Sequence, residues 1–238
     1  MRKLFIFPFS LFFFHAAGAQ VRFGIQAGYN QSGVSMKAET YSTRGLSFNA
    51  VSGFQAGILA DIPFGDYFAI QPRFRYLQRG FDAEGIVPGP SDGPIDANIA
   101  TRYHYLQLPL HFLGKYPLGP GRLFAGGGPV LSYGVSGRVK STFVDHWAGY
   151  GPGTETEKVY FLDKERDYEA ALARKQYIRP FDAGVGFTAG YEFHFGLMIG
   201  AGYTLGLTDV DPNPQISQKS KSWNVSVGYL FGTASAAR

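Results

Sequence analysis

The sequence has 238 residues and no cysteine, which excludes disulfides and thiolate metal sites. Its formal net charge is +4, and two of these charges come from Arg2 and Lys3, so the balance does not indicate a nucleic-acid partner. Glycine (32), phenylalanine (22) and tyrosine (15) are abundant, whereas only 17% of the residues are charged. Because no apolar run is long enough for a membrane-spanning helix, this composition favours a β-barrel in lipid.

The first residues have the features of a secretory signal peptide. Arg2 and Lys3 form a positively charged start, residues 4–14 are apolar, and residues 17–19 (AGA) form a small-residue cleavage site. The apolar run is too short to span a bilayer as a helix. We therefore predict that residues 1–19 are a cleaved signal peptide and that residues 20–238 form one outer-membrane β-barrel domain.

Eight segments of this domain alternate with a period of two. In the last segment Trp223, Val225 and Val227 alternate with Asn224 and Ser226. Alternation of this length indicates strands, and about ten residues suffice for a tilted strand to cross a bilayer. The predicted strands are residues 21–29, 52–62, 67–79, 102–116, 122–135, 181–193, 196–205 and 222–231.

The two faces of these segments indicate where they lie. One face is bulky and apolar, and the other consists mostly of Gly, Ser, Thr and Gln. A soluble sandwich would carry more Lys and Glu on its exposed face, whereas small polar residues suit the narrow interior of a barrel whose apolar face meets lipid. Since an open sheet edge has no water to bond in lipid, the sheet must close. The predicted fold is all-β, a transmembrane antiparallel up-and-down barrel of eight strands.

The breaks between the segments alternate in length. The breaks at 30–51, 80–101, 136–180 and 206–221 are long, and those at 63–66, 117–121 and 194–195 are short. Short periplasmic turns and long external loops are typical of outer-membrane barrels. We therefore expect both termini in the periplasm of a Gram-negative bacterium and the long loops outside the cell.

The break at 136–180 allows more than one interpretation. Residues 158–162 could extend the barrel as a protruding hairpin, and residues 163–176 (DKERDYEAALARKQ) could form a short helix. A barrel of ten strands is the alternative to eight.

Several stretches resemble the PorT-type family of small outer-membrane barrels from the Bacteroidetes. They are residues 23–33 (FGIQAGYNQSG), 68–80 (FAIQPRFRYLQRG), 105–110 (YLQLPL), 181–193 (FDAGVGFTAGYEF) and 203–210 (YTLGLTDV). The named member of that family assists a system that secretes proteins across the outer membrane. The resemblance therefore implies an envelope role in secretion or assembly, in addition to the barrel fold.

Seven charged residues fall on the inward parity of the predicted strands. An eight-stranded barrel is just wide enough for its side chains to fill, and an unpaired buried charge is costly. We therefore predict a structural charge network in the lumen, with Arg22 paired to Asp61 and Arg122 to Glu192. The network comprises Arg22, Asp61, Arg73, Arg75, Lys115, Arg122 and Glu192.

Aromatic residues on the outward parity lie near the strand ends, as expected at the two interfaces of a bilayer. The predicted interfacial aromatics are Tyr29, Tyr76, Tyr133 and Trp223 at the external side and Phe68, Phe193 and Phe231 at the periplasmic side.

No enzyme active site is indicated by the sequence. The glycines at 126–128 and 184–190 lack the spacing and the following helix of a nucleotide-binding loop, and the histidines show no ligand spacing. His104, outward near the external end of its strand, is the one candidate for lipid catalysis, but the sequence names no partner for it. We predict no catalytic, cofactor-binding or metal site and no cofactor.

The sequence thus predicts a non-enzymatic, monomeric outer-membrane barrel with a structural or interaction role in the envelope. Its partners would be outer-membrane lipid and envelope or secretion-system proteins, with no nucleic acid. A small lipid-modifying enzyme and a narrow channel are the two alternatives.

Overall fold

The computed structural model describes residues 21–38, 45–88, 93–145, 153–163, 175–213 and 216–232. The predicted signal peptide lies outside these residues. Among the residues described, no helix is long and apolar enough to cross a membrane.

Within the described residues, ten strands form one sheet, and eight of them close into a ring. The strands are β1 (Arg22–Ala38), β2 (Leu46–Phe64), β3 (Phe68–Pro88), β4 (Pro94–Leu118), β5 (Gly121–Asp145), β6 (Gly153–Phe161), β7 (Lys175–Ile178), β8 (Phe181–Phe193), β9 (Leu197–Gly206) and β10 (Ile216–Leu230). Strands β1–β5 and β8–β10 pair antiparallel with their neighbours, and β1 pairs with β10 to close the barrel. The predicted antiparallel barrel of eight strands is confirmed.

Strands β6 and β7 lie in the predicted break at 136–180. The first part of β5 pairs with β8 over residues 121–133, and its last part pairs antiparallel with β6 over residues 137–143. Strand β7 then pairs parallel to β6. The β5–β6 pair is a protruding hairpin, and it begins earlier than the predicted 158–162. The predicted helix at 163–176 lies mostly outside the described residues, but its last two residues, Lys175 and Gln176, begin β7.

Strands β1–β5 and β10 extend beyond the predicted external ends. Strands β4 and β5 have 25 residues each and β3 has 21. Because about ten residues cross a bilayer, β4 carries about 15 further residues, or roughly 50 Å of strand at 3.3 Å per residue. The short turns, including Gly65–Tyr67, lie together at the opposite end of the barrel. Since short turns face the periplasm in such barrels, the extension is external.

The polarity of the alternation inverts along these strands, which explains why the extension was predicted as loop. In the lower part of β3, Arg73 and Arg75 are buried inside while Phe74 is exposed outside. In the upper part, Phe81 and Ala83 are buried inside while Glu84 is exposed. An outward apolar face meets lipid, and an outward polar face meets water. Register irregularities at Ala50/Gln55 and at His104/Tyr105 interrupt the pattern further.

Inward glycines leave room for the large polar side chains of the lumen. A Cβ atom added at Gly57 would lie 2.6 Å from the Cβ atom of Arg75, its partner in the strand register, and 2.2 Å from the carbonyl oxygen of Phe74. A larger residue at this position would therefore displace β3 or its arginine. The inward face is rich in glycine because the barrel is narrow.

Candidate functional site

Four charged side chains form a closed cluster inside the periplasmic half of the barrel, which we call the charge quartet (Arg22, Asp61, Lys115 and Glu192). Arg22 bridges Asp61 and Glu192, each at 2.6 Å. Lys115 bridges the same two carboxylates at 2.7 and 2.8 Å. All four side chains are at most 6% exposed. Two cations therefore alternate with two carboxylates, and the quartet is neutral.

Each residue of the quartet comes from a different strand. Arg22 on β1 is the direct register partner of Asp61 on β2, whereas Lys115 on β4 and Glu192 on β8 reach them across the lumen. Arg122 is the register partner of Glu192, but it is only half-buried. Glu192 forms salt bridges with Arg22 and Lys115. Sequence reasoning found the residues but missed these contacts across the barrel.

Two arginines above the quartet bind neutral amides. The guanidinium group of Arg73 donates to Gln71 Oε1 at 2.5 and 3.0 Å, and that of Arg75 donates to Gln107 Oε1 at 2.5 and 2.8 Å. Gln107 in turn donates to Ser132 Oγ at 3.0 Å. Both guanidinium groups are buried. Among the described residues the buried charges therefore comprise five cations and three carboxylates, so the lumen carries an excess of positive charge.

A further ion pair lies near the external end of the polar lumen. Arg79 bridges Asp182 at 2.9 Å, and Ser220 donates to the same carboxylate at 2.9 Å. The Arg79 guanidinium also lies 5.1 Å from the centre of the Tyr105 ring. Sequence reasoning missed this pair, although both charged residues lie on the inward parity of predicted strands and could have been found in that way.

An apolar cluster, the apolar plug, fills the barrel above Arg79. Its loop residue Val210 is fixed by backbone bonds, because its amide donates to the Gln218 carbonyl at 3.1 Å and its carbonyl accepts from the Arg179 amide at 2.9 Å. Above the plug a cup of about 290 Å³ opens outward. The buried members of the plug are Leu77, Phe81, Ala83, Tyr103, Tyr105, Val139, Val159, Ile178 and Val210.

A family comparison agrees with this architecture. Residues 15–212 match the family described as outer membrane protein beta-barrel domain. The chain belongs to this family. A barrel of this family resides in the outer membrane of a Gram-negative bacterium, as the sequence predicts. No curated protein matches the chain.

Solved structures of other outer-membrane barrels are similar in fold. OprG from Pseudomonas aeruginosa shares 14% identity over 90% of this chain and 98% of its own, with a TM-score of 0.43. Ail from Yersinia pestis shares 17% over 88% and 98%, with a TM-score of 0.38. Neisserial surface protein A shares 12% over 87% and 96%, with a TM-score of 0.35. Similarity at this level implies no activity for this chain.

The predicted interfacial aromatics of this outer-membrane barrel point outward at two levels. Tyr29 and Trp223 pack together with ring centroids 5.6 Å apart. At the other end of the barrel Phe193 packs on Tyr191 at 4.9 Å. The exposed fractions at the external level are 44% for Tyr29, 53% for Tyr133 and 41% for Trp223, with Tyr76 half-buried; at the periplasmic level they are 56% for Phe68 and 52% for Phe231, with Phe193 half-buried.

His104 lies outward at the external boundary, as its parity predicts. Its ring stacks on Tyr76, and its Nδ1 atom is hydrogen-bonded to the Tyr76 hydroxyl. Ser136 is its register partner on β5. Within the described ranges, no hydrogen bond joins His104 to Ser136 or to a carboxylate, and no three His, Asp or Glu side chains could hold a metal ion.

Proposed function

We propose that this protein is a non-enzymatic outer-membrane barrel with a lumen closed to ions, and that it acts by contacting another envelope protein through its external extension. The filling of the lumen carries the proposal. The charge quartet, the Arg79–Asp182 pair and the apolar plug occupy successive levels of the barrel. A barrel of eight strands leaves little space beyond such side chains.

The external extension supports a contact role. Strands β3, β4 and β5 continue as paired sheet above the membrane, and β6 and β7 widen that sheet. Strands hold side chains in fixed positions more firmly than irregular loops do, which suits recognition of a folded partner. The exposed Ile86 on this extension, with 59% of its surface accessible, is an apolar residue with no lipid to cover it.

The resemblance to the PorT-type family adds a specific hypothesis about the partner. A barrel that assists secretion would contact a component of a secretion system, with the barrel itself acting as a monomer. A lipid-modifying activity receives less support. Among the described residues, His104 is hydrogen-bonded to the phenol of Tyr76 and to no carboxylate that would orient it as a general base.

Site-specific photo-crosslinking in intact cells tests the contact role. A photoreactive phenylalanine analogue replaces Ile86 on the extension, and Phe112, which is 51% exposed on the lipid-facing side of β4, serves as the matched control. We expect a protein adduct from position 86 and lipid adducts from position 112. A secretion component in the adduct supports the specific hypothesis. Lipid or no adduct at both positions contradicts the contact role.

A narrow anion channel is the second candidate. The excess of buried cations in the lumen would favour anions over cations if water entered the barrel. Conductance measurements distinguish this candidate from a closed lumen.

A further inference from the structure

Four basic residues stand side by side on the outer surface of the barrel. Arg102 on β4 is the register partner of Arg138 on β5, Arg138 is the partner of Lys158 on β6, and Lys158 is the partner of Lys175 on β7. We call these four residues the basic row. Arg102, Arg138 and Lys158 are exposed, and Lys175 is half-buried.

The register of the basic row places like charges directly opposite each other. Like charges directly opposite each other on neighbouring strands repel and destabilise a sheet. Arg102 bridges Asp82 at 2.6 Å, and Glu157 also lines the adjoining groove. Lys158 and Lys175 also lie 5.4 and 5.7 Å from the centre of the Tyr160 ring. Among the described residues, the two carboxylates named here do not balance the four cations, so the surface retains an excess of positive charge.

A groove gives the basic row the shape of a binding site. It has a volume of about 520 Å³ and is lined by Arg102, Arg138 and Lys158 together with His104 and hydroxyl groups. The hydroxyl groups belong to Ser136 and Thr156. Guanidinium, ammonium and hydroxyl donors that converge on one space suit the oxygens of a phosphate group.

The height of the basic row places it near the outer edge of the lipid headgroups. Leu106 and Tyr133 are register partners on β4 and β5, and Arg102 and Arg138 stand four or five residues above them. A tilted strand rises about 10 Å over this distance. The headgroup region extends roughly 5–8 Å beyond the hydrocarbon on each side of a bilayer. Because the rise slightly exceeds this depth, the row lies at or just beyond the outer edge of the external leaflet.

We propose that the basic row and its groove bind the phosphate-bearing headgroup of an outer-leaflet glycolipid. The groove faces outward, away from the lumen and the cup, and the apolar surface directly below it, which includes Leu106 and Leu131, can cover the acyl chains of the same molecule. A soluble anion would use the charges but would have no use for this apolar surface. The observations thus favour a lipid.

Lipid retention by the purified full-length protein tests the proposal. The protein is placed in phosphatidylcholine nanodiscs containing either bisphosphorylated lipid A or its dephosphorylated form, and bound lipid is measured by native mass spectrometry. The test variant is R138Q/K158Q. The matched control, K219Q/K221Q, removes the same charge from β10, where both lysines are exposed and oppose uncharged residues. Heat-modifiable gel migration shows that each variant is folded.

The proposal predicts that R138Q/K158Q weakens retention of the phosphorylated lipid by about thirtyfold, from the usual contribution of two basic residues at an anionic surface. The control should change retention by less than about threefold, and R138K/K158R should retain most of the binding because it keeps both charges.

Several outcomes would overturn the proposal. Equal losses in both double variants would show general attraction to an anionic surface, and no loss in either would show that the row is not a site. Equal retention of dephosphorylated lipid would show that the acyl chains alone bind. Full competition by millimolar inorganic phosphate would assign the groove to a soluble anion.

Discussion

Neutralising Glu192 should destabilise the barrel more than neutralising Glu192 and Lys115 together. Glu192 accepts from both cations of the charge quartet at 2.6 and 2.8 Å and is 2% exposed. E192Q leaves two buried cations with Asp61 alone, and removal of one partner of a buried ion pair costs about 3–5 kcal/mol. K115M/E192Q removes one charge of each sign and leaves the neutral Arg22–Asp61 pair at 2.6 Å. K115M alone also removes one partner of a buried pair, so the coupling between the two substitutions should reach about 3 kcal/mol or more.

The assay for this prediction is urea unfolding in lipid vesicles, followed by tryptophan fluorescence and by heat-modifiable gel migration. The wild type, K115M, E192Q and the double variant form the double-mutant cycle. The matched control is the exposed Arg102–Asp82 pair, whose side chains are 47% and 39% exposed and whose coupling should stay below about 1 kcal/mol. Additive losses in the Lys115–Glu192 cycle, within about 0.5 kcal/mol, would refute the reasoning.

Three other predictions concern lipid contact, packing and topology. Val227→Arg places a charge on a lipid-facing residue that is 51% exposed and should cost about 2–4 kcal/mol near the bilayer midplane; unchanged urea stability would remove the lipid-facing assignment. Gly57→Val should prevent assembly, measured as the heat-modifiable fraction. Gly114→Ala should be tolerated, because the nearest atom to a Cβ atom at this position lies 3.7 Å away. Equal folding of both variants would contradict the packing argument. In the naturally cysteine-free chain, an impermeant maleimide should label Gly153→Cys in intact cells but Asp66→Cys only after the outer membrane is broken, and the reverse pattern would invert the topology.

The membrane-spanning part of the fold could be predicted because lipid imposes a simple pattern. Residues such as Val225, Val227 and Tyr229 must be apolar on the outside, and the narrow interior selects Ser226 and Gly228 on the inside. The alternation of short and long breaks then gave the orientation. These constraints are local, so a single sequence reveals them.

The external extension could not be recognised by the same criterion. Above the membrane the outward face meets water, so the polarity inverts and Phe81 and Ile99 turn inward while Asp82 and Asn98 turn outward. A search for strands with one constant apolar parity reads this inversion as the end of a strand. The inversion itself marks the membrane boundary, and a search that allowed it would have extended β3, β4 and β5.

The sequence identified the charged residues of the lumen, but it predicted fewer of the salt bridges between them. Arg22 and Asp61 are register partners, and adjacent inward charges in sequence-predicted strands suggest such a pair. The bridges from Glu192 to Arg22 and Lys115 cross the barrel, and they depend on its diameter and on the stagger of its strands. Ile178 and Val210 enter the plug from segments without a regular pattern, so their positions depend on the tertiary structure.

The most direct test of the closed lumen is planar-bilayer recording of the purified protein, with insertion verified by heat-modifiable migration of the same preparation. The filled lumen predicts no steady conductance above that of the lipid at neutral pH. It also predicts that E192Q, which unbalances the charge quartet without shortening a side chain, leaves the bilayer equally insulating whenever the variant is folded. A steady ohmic conductance from the wild-type protein, selective for anions or not, would contradict the closed lumen.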